Sequence, residues 1–231
     1  MIDEIYETVV RTYGARDLQA YDDPLKQLIL TILSHRTTWI DEKNAFDAMW
    51  NRYGTWEAIR DAPPDELIDL LAPVRYPERK GPYIQGTLAR ILAERGEASI
   101  NFLRDMPTED AMRWLMSLPG VGLKTASLVM LFCFHHPVIP VDTHVHRVSQ
   151  RLGLIGAKTS ADAAHSLLLT MLGPDPYRLY NFHKAMMKHG QQICTYSAPK
   201  CHRCPLAHLC AYHLARVHAL ATPRTLPEDQ A

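Results

Sequence analysis

The sequence predicts an all-α protein. Apolar residues recur at helical spacing along most of the chain, and strand-like alternation is rare. Pro, Gly, Asp and Thr separate the periodic segments, as is typical of helix boundaries. The chain has 231 residues, 47% of them hydrophobic and 22% charged, which is enough for one large domain or two small ones with an apolar core.

The expected helices follow one another with short gaps. Thr108, followed by Glu109 and Asp110, is a typical helix start, because acidic side chains favour the positive end of a helix dipole. The cysteine-rich segment 194–210 is loop-like and too short to fold without a cross-link. The expected helices span residues 2–13, 24–34, 39–53, 55–62, 64–71, 80–95, 108–117, 123–134, 143–152, 160–172 and 177–192.

The formal net charge is zero, but the charges are segregated along the chain. Residues 178–227 contain seven basic residues and no Asp or Glu, and residues 111–161 contain one acid, Asp142, beside five basic residues. Such segregation creates a positive face that suits nucleic acid, or else two ordinary solvated faces. Charge alone leaves both readings open.

Nothing in the sequence predicts export or membrane insertion. Residues 1–10 lack a basic start followed by an apolar stretch, so they do not form a signal peptide. The longest apolar run, residues 126–134, is interrupted only by Ser127 and is far shorter than the roughly 20 residues that span a bilayer. We therefore expect a cytoplasmic protein with no membrane partner.

A glycine turn joins two of the expected helices at residues 118–122. Gly120 and Gly122 permit a tight turn and a close approach of the backbone to another surface. The first N–H groups of the following helix are unpaired and attract anions such as a DNA phosphate. Packing between helices is the alternative use of such a turn.

Lys124 and Asp142 are the candidate reactive groups. Lys124 lies in the first turn of a helix, where the dipole disfavours a cation, so its amine should lose its proton readily and act as a nucleophile. Its alternative role is a phosphate contact. Asp142 precedes the expected helix 143–152, where it either caps the helix, faces a reaction centre, or does both.

Taken together, these segments resemble the endonuclease III family of DNA glycosylases. The resemblance rests on Leu-Pro-Gly-Val-Gly-Leu-Lys-Thr-Ala at 118–126, the apolar helix after it, and Val-Asp-Thr-His-Val-His-Arg-Val at 141–148. It extends from about residue 26 to 212. It implies a base-excision repair enzyme that is both a glycosylase and an AP lyase, acting by default on oxidised pyrimidines.

The resemblance implies a role for each matching residue. Lys124 matches the nucleophile that forms a Schiff base with C1′ of the damaged nucleotide, and Asp142 matches the carboxylate that stabilises positive charge on the sugar. The base must leave the duplex for this attack. The residues expected to contact DNA are Gly120, Val121, Gly122, Thr125, Arg147, Lys200 and Arg203.

Four cysteines, at 194, 201, 204 and 210, have the spacing C-x6-C-x2-C-x5-C. Four such thiolates bind zinc or an iron–sulfur cluster, and disulfides are disfavoured in the cytoplasm. Their chemistry alone does not separate zinc from iron. The resemblance implies one 4Fe–4S cluster. The fifth cysteine, Cys133, lies in the apolar helix and is expected to be a buried thiol.

Two loops depart from the family pattern. Where the family has a polar residue that fills the gap left by the extruded base, this chain has Arg36 beside His35, which are our wedge candidates or else plain surface residues. The second wedge loop is replaced by residues 74–77, with an apparent one-residue insertion before Lys80. These changes bear on lesion preference.

The resemblance implies two lobes with duplex DNA across the cleft between them. Residues 18–135 form a helical barrel with a helix-hairpin-helix, and residues 1–17 and 136–231 form the cluster domain. The partner is double-stranded DNA with a damaged base or an abasic site, bound by a monomer that is nucleoid-associated if bacterial. The alternatives are a monofunctional glycosylase, an AP lyase alone, or a non-catalytic binder of DNA lesions.

Overall fold

The computed structural model describes residues 1–18 and 21–221, with side chains up to residue 219. This part of the chain is helical with no strand, which confirms the all-α prediction. Its compact units are Leu18–Pro140, the hairpin unit, and Met1–Asp17 with Val141–Ala231, the cysteine unit. Residues 222–231, which include Arg224 of the basic segment, lie outside the described residues.

The hairpin unit is built from seven α-helices and a 3-10 helix at Asn101–Asp105. Every residue of α8 from 125 to 134 is buried, and α8 packs on α2 and α7. In α6, the buried residues Ile84, Leu88 and Ile91 recur at helical spacing. The α-helices are α2 (Pro24–Ser34), α3 (Trp39–Tyr53), α4 (Trp56–Arg60), α5 (Pro64–Leu70), α6 (Pro77–Arg95), α7 (Thr108–Met116) and α8 (Leu123–Phe134).

The cysteine unit has α11 at its centre. α11 contacts α1, α9 and α10, and Ile5 and Val9 of α1 are fully buried. Short 3-10 helices at Cys201–Arg203 and Ala207–Leu209 lie within the cysteine-rich segment. The α-helices are α1 (Ile2–Tyr13), α9 (Thr143–Leu152), α10 (Ala161–Leu172), α11 (Pro176–Gln192) and α12 (Ala211–Ala221).

Apart from shifts of one or two residues at helix ends and the short 3-10 helices, the structure differs from the expected organisation in three places. α6 begins at Pro77 rather than residue 80, because proline is well suited to the first helical position. α12 was not expected. The units divide at residues 140 and 141, five residues beyond the expected boundary, because His136 bonds to Thr108 and to the carbonyl oxygen of Arg104 in the hairpin unit.

Candidate active site and cysteine site

The turn between α7 and α8 is held by steric contact. Gly120 has a φ of 72°, and a Cβ atom added there would lie 2.6 Å from Cδ2 of Tyr83. Thr87 Oγ1 donates to the carbonyl oxygen of Pro119 at 3.2 Å. Residue 120 therefore requires glycine both for its backbone conformation and for space.

The start of α8 faces open space. Gly122 is its N-cap, no side chain caps the helix, and the first turn carries no acid. A Cβ added at Gly122 would meet no atom within 4 Å. The first N–H groups of a helix have no partner within the helix, so this end suits an anion.

Lys124 projects from this first turn and is half-buried. Its charge, together with burial, acts on two neighbouring groups. Burial, then Lys124 and Lys80, lower the pKa of His35 to about 4, so His35 is neutral at pH 7. Burial raises the pKa of Glu42 against the opposing charges of Lys124 and Lys80. Lys124 is therefore placed beside a neutral imidazole.

Two of the expected DNA contacts have buried side chains. Val121 is 6% exposed and Thr125 is 1% exposed, and Thr125 Oγ1 lies 3.1 Å from Nε2 of His35. Both side chains complete the packing of the turn. Only the main chain of Val121 and Thr125 is left to meet a ligand, as at Gly120 and Gly122.

The two loops that depart from the family pattern are joined to each other. Arg36 is exposed with a φ of 55°, and Tyr76 is partly exposed with a φ of 61°. The backbone N–H of Arg75 donates to Thr37 Oγ1 at 3.2 Å, which links the loops. Positive φ at residues other than glycine is strained and typical of functional loops.

Lys80, which the sequence did not single out, bonds to the loop that carries Arg36. Its Nζ donates to the carbonyl oxygens of Leu33 and His35 and to Thr37 Oγ1. Burial lowers the pKa of Lys80 to about 8, against the opposing effect of Glu42. Lys80 lies one helical turn before Ile84 on the buried face of α6, so helical periodicity was the signal that could have found it.

In the cysteine unit, Asp142 is the N-cap of α9. Its Oδ1 accepts hydrogen bonds from the backbone N–H of His144 at 2.9 Å and Val145 at 2.7 Å. Oδ2 has no hydrogen bond within the described residues. The cap fixes the carboxylate and leaves one oxygen to act elsewhere.

Arg147, one of the expected DNA contacts, uses most of its guanidinium donors inside the cysteine unit. Its guanidinium donates to the carbonyl oxygens of Cys194 and Gly190 at 3.1 and 2.9 Å. It also bonds to His144 Nδ1 and to the carbonyl oxygen of Thr143. Four of the five N–H donors of an arginine are thus engaged within the unit.

The four spaced cysteines line one cavity. All five cysteines are free thiols. In the described ranges 1–18 and 21–221, no group of three or more His, Cys, Asp or Glu lies close enough to hold a single metal ion. Four thiols around one shared cavity are nevertheless the donor set that a 4Fe–4S cluster takes. The lining cysteines are Cys194, Cys201, Cys204 and Cys210.

Polar groups contact three of these thiols. The Cys210 thiol donates to the carbonyl oxygen of Arg151 at 3.3 Å. Arg151 donates to Cys194 Sγ at 3.3 Å, and His189 Nε2 lies 3.6 Å from Cys204 Sγ. Burial raises the pKa of the Cys204 thiol to about 11, so a bound cation is needed to hold it as a thiolate. Burial also raises the pKa of Cys133 to about 12, as expected for an unreactive thiol.

Lys200 and Arg203 lie on the surface of the cysteine-rich segment. Both are exposed, and the Lys200 ammonium donates to the carbonyl oxygen of Gln192 at 3.1 Å. They remain candidates for phosphate contacts. Across the described helices, none has the length and apolar character needed to cross a membrane.

The sequence is similar to those of known DNA repair proteins. Residues 29–174 match the family described as HhH-GPD superfamily base excision DNA repair protein. Endonuclease III of Thermotoga maritima is 31% identical over 216 residues, 94% of this chain and 95% of that protein. The DNA glycosylase/AP lyase ROS1 of Arabidopsis thaliana is 33% identical over 188 residues. The matched region is 74% of this chain and 13% of that protein.

Solved structures give the same relation. The structure of a trapped endonuclease III–DNA covalent intermediate, an estranged-adenine complex, matches with a TM-score of 0.79 at 28% identity. The match covers 94% of this chain and 97% of that chain.

Proposed function

Because the chain belongs to the HhH-GPD superfamily of base excision DNA repair proteins and, within it, to the endonuclease III family, we propose that Lys124 removes damaged bases from duplex DNA and then cleaves the strand. The protein is a DNA glycosylase and AP lyase. The observation that carries the role of Lys124 is its place in the first turn of α8, beside an open helix end and a neutral His35.

The proposed reaction has two stages. The Lys124 amine attacks C1′, the C1′–N bond to the base breaks, and the base leaves with a proton. The C1′–O4′ bond of the sugar ring then breaks, O4′ takes up a proton from solvent, and an iminium forms between Lys124 and C1′. This iminium makes the C2′ proton acidic, and loss of that proton breaks the C3′–O bond, so that the 3′ fragment departs with a 5′ phosphate. Asp142 stabilises the positive charge that develops on the sugar.

Borohydride reduction tests this proposal, because it traps a Schiff base as a stable protein–DNA complex. We expect trapping on duplexes with an oxidised pyrimidine and on abasic duplexes, with loss of both in Lys124→Ala. Lys43→Ala, an exposed lysine of the same unit, is the control and should trap normally. Trapping on abasic DNA alone would indicate a lyase without glycosylase activity. No trapping on either duplex would overturn the role of Lys124, and base release would then separate a monofunctional enzyme from a binder.

The four cysteines around one cavity support a 4Fe–4S cluster as the cofactor. When bound, the cluster would cross-link the loop of residues 194–210. We expect a brown protein with iron and sulfide in equal amounts, and loss of both the colour and the sulfide in Cys204→Ala. Cys133→Ala, which removes a thiol outside the cavity, should keep both. A colourless protein with stoichiometric zinc would overturn this proposal.

The DNA contacts are proposed on exposure and charge. Arg36 would fill the gap left by the extruded base, with His35 behind it. The main chain at 120–125 would bind a phosphate, and Lys200 and Arg203 would bind others. Affinity should fall steeply with salt, because phosphate contacts dominate binding. In a plot of log affinity against log salt concentration, each lost phosphate contact should reduce the slope by about one. A flat salt response would contradict a DNA substrate.

The substrate class follows from the family, and we propose oxidised pyrimidines in duplex DNA. Action on chromosomal DNA would place the protein at the nucleoid of a bacterial cell. A panel of oligonucleotides with one defined lesion each tests the substrate. Release of an oxidised purine in preference to every oxidised pyrimidine would contradict the assignment.

A further inference from the structure

The ammonium group of Lys80 is enclosed by the protein. The residue is 4% exposed, and its Nζ donates to the carbonyl oxygen of Leu33 at 2.6 Å, that of His35 at 2.8 Å and Thr37 Oγ1 at 2.9 Å. A lysine has three N–H donors, so all are used. A buried ammonium without partners is costly, and these three acceptors all belong to one short segment, residues 33–37, which we call the corner.

The corner has one backbone bond of its own, from the N–H of Thr37 to the carbonyl oxygen of Ser34 at 3.0 Å. Leu33 lies in the last turn of α2, where carbonyl groups have no partner within the helix. Thr37 Oγ1 donates to the carbonyl oxygen of His35 at 3.2 Å and accepts from Arg75 N. Lys80 therefore supplies the bonds that fix the corner to α6.

Lys80 acts on both strained loops. Arg36 and Tyr76 are two of the three non-glycine residues with positive φ in the described part of the chain. The backbone N–H of Lys80 donates to the carbonyl oxygen of Tyr76 at 3.1 Å, and its side chain holds the residues on both sides of Arg36. The left-handed conformation is unfavourable for residues other than glycine, so the surroundings must hold these two residues there.

The corner also reaches the start of α8. The carbonyl group of His35 accepts from Lys80, and its imidazole Nε2 lies 3.1 Å from Oγ1 of Thr125, the neighbour of Lys124. One buried ammonium thus connects an exposed arginine and the residue beside the nucleophile.

We propose that Lys80 is a positioning residue that holds Arg36 and His35 in the conformation that engages damaged DNA. This inference rests on the proposed function, because it assigns the corner to DNA engagement. Lys80 itself does not touch DNA, since its three donors are occupied inside the protein. Its loss lets the corner relax, so binding weakens while the chemistry at Lys124 persists once DNA is bound.

The test uses a double-mutant cycle between Lys80→Met, which keeps the chain length and removes the donors, and Arg36→Ala. Affinity for an abasic duplex and the trapping rate at saturating duplex are measured well below the melting temperature of each variant. Lys43→Met, which removes an exposed positive charge from the same unit, is the matched control.

We expect Lys80→Met to weaken binding about tenfold or more, since the apparent affinity falls in proportion to the fraction of molecules whose corner is in the binding conformation. The saturating trapping rate should change far less. The double variant should bind no worse than Lys80→Met, because Arg36 is already misplaced in it. Lys43→Met should bind like the parent protein at matched salt.

Two results would overturn the inference. One is a folded Lys80→Met protein that binds as tightly as the parent, and the other is full additivity of the two changes, which a merely structural lysine would give. If Lys80→Met does not fold, Thr37→Val removes one acceptor and enters the same cycle. Absence of trapping in the parent protein would contradict the proposed function instead, and the binding cycle would still decide the inference.

Discussion

In the hairpin unit, the turn before Lys124 is held by the contact of Gly120 with the ring of Tyr83. In the cysteine unit, the loop that begins at Cys194 is held by guanidinium groups. Arg151 donates to the carbonyl oxygens of Thr195 and Tyr196, both at 2.7 Å. Steric fit at Gly120, together with the hydrogen bond from Thr87 to Pro119, fixes the first segment, and hydrogen bonds from guanidinium groups fix the second.

This difference matters for how basic residues are interpreted. Arg147 and Arg151 belong to a segment that is almost free of acids, yet their donors bind main-chain carbonyl groups rather than facing solvent. Lys200 and Arg203, on the loop itself, are exposed. A basic segment in the sequence therefore overstates the positive surface that DNA can meet.

The largest effect is expected from Gly120→Ala. Alanine would adopt a disfavoured positive φ and would clash with Tyr83, which together should lower the free energy of unfolding by about 2–4 kcal/mol. Gly122→Ala is the matched control, because its φ is −99° and a Cβ there meets open space. Chemical denaturation compares the two. Equal losses would show that steric contact does not fix this turn.

Arg151→Met should have an intermediate effect. It removes three donors from the loop and should destabilise the protein by about 1–3 kcal/mol, since hydrogen bonds to charged groups carry this energy. The salt slope of DNA binding should stay the same. Arg203→Gln should do the reverse, with a flatter slope and unchanged stability. A flatter slope in Arg151→Met would mean that Arg151 binds phosphate after all.

The smallest change in stability at neutral pH is expected from His35→Gln. Its main effect is on how the free energy of unfolding depends on pH in acid. The pKa of His35 is about 4 in the folded protein against an ordinary value of 6.5, so the unfolded chain takes up the proton first. The stabilisation is complete above pH 6.5 and is lost as the pH falls from 6.5 towards 4. His35→Gln should reduce the number of protons taken up on unfolding between pH 6.5 and 4 by about one, and the free energy of unfolding should fall less steeply over this range. Equal slopes in His35→Gln and in the parent protein would contradict the burial of His35.

The sequence was sufficient where boundaries are set by local signals. α2, α3, α8 and α9 have the expected bounds, and Asp23, Thr38 and Asp142 cap three of them through side-chain bonds to backbone N–H groups. α12 has no acid in its first turn and carries two histidines, so no capping signal marked it as a helix. Lys124 lies in the first turn of α8 and Asp142 caps α9, as the motifs predicted.

The roles of Lys80 and Arg147 could not be predicted in this way. The three acceptors of Lys80 lie 43–47 residues earlier in the chain, and two acceptors of Arg147 lie 43 and 47 residues later. Such partners are set by tertiary packing. Helical periodicity places Lys80 on the buried face of α6, but it does not identify the carbonyl groups that its ammonium meets there.

The central claim is that the amine of Lys124 bonds to a deoxyribose carbon. Tandem mass spectrometry of the borohydride-reduced complex tests it directly, because the reduced sugar remains attached to the peptide that held it. We expect the mass of the reduced sugar to be found on Lys124. Attachment to another lysine or to the N-terminal amine, with Lys124 unmodified, would contradict it.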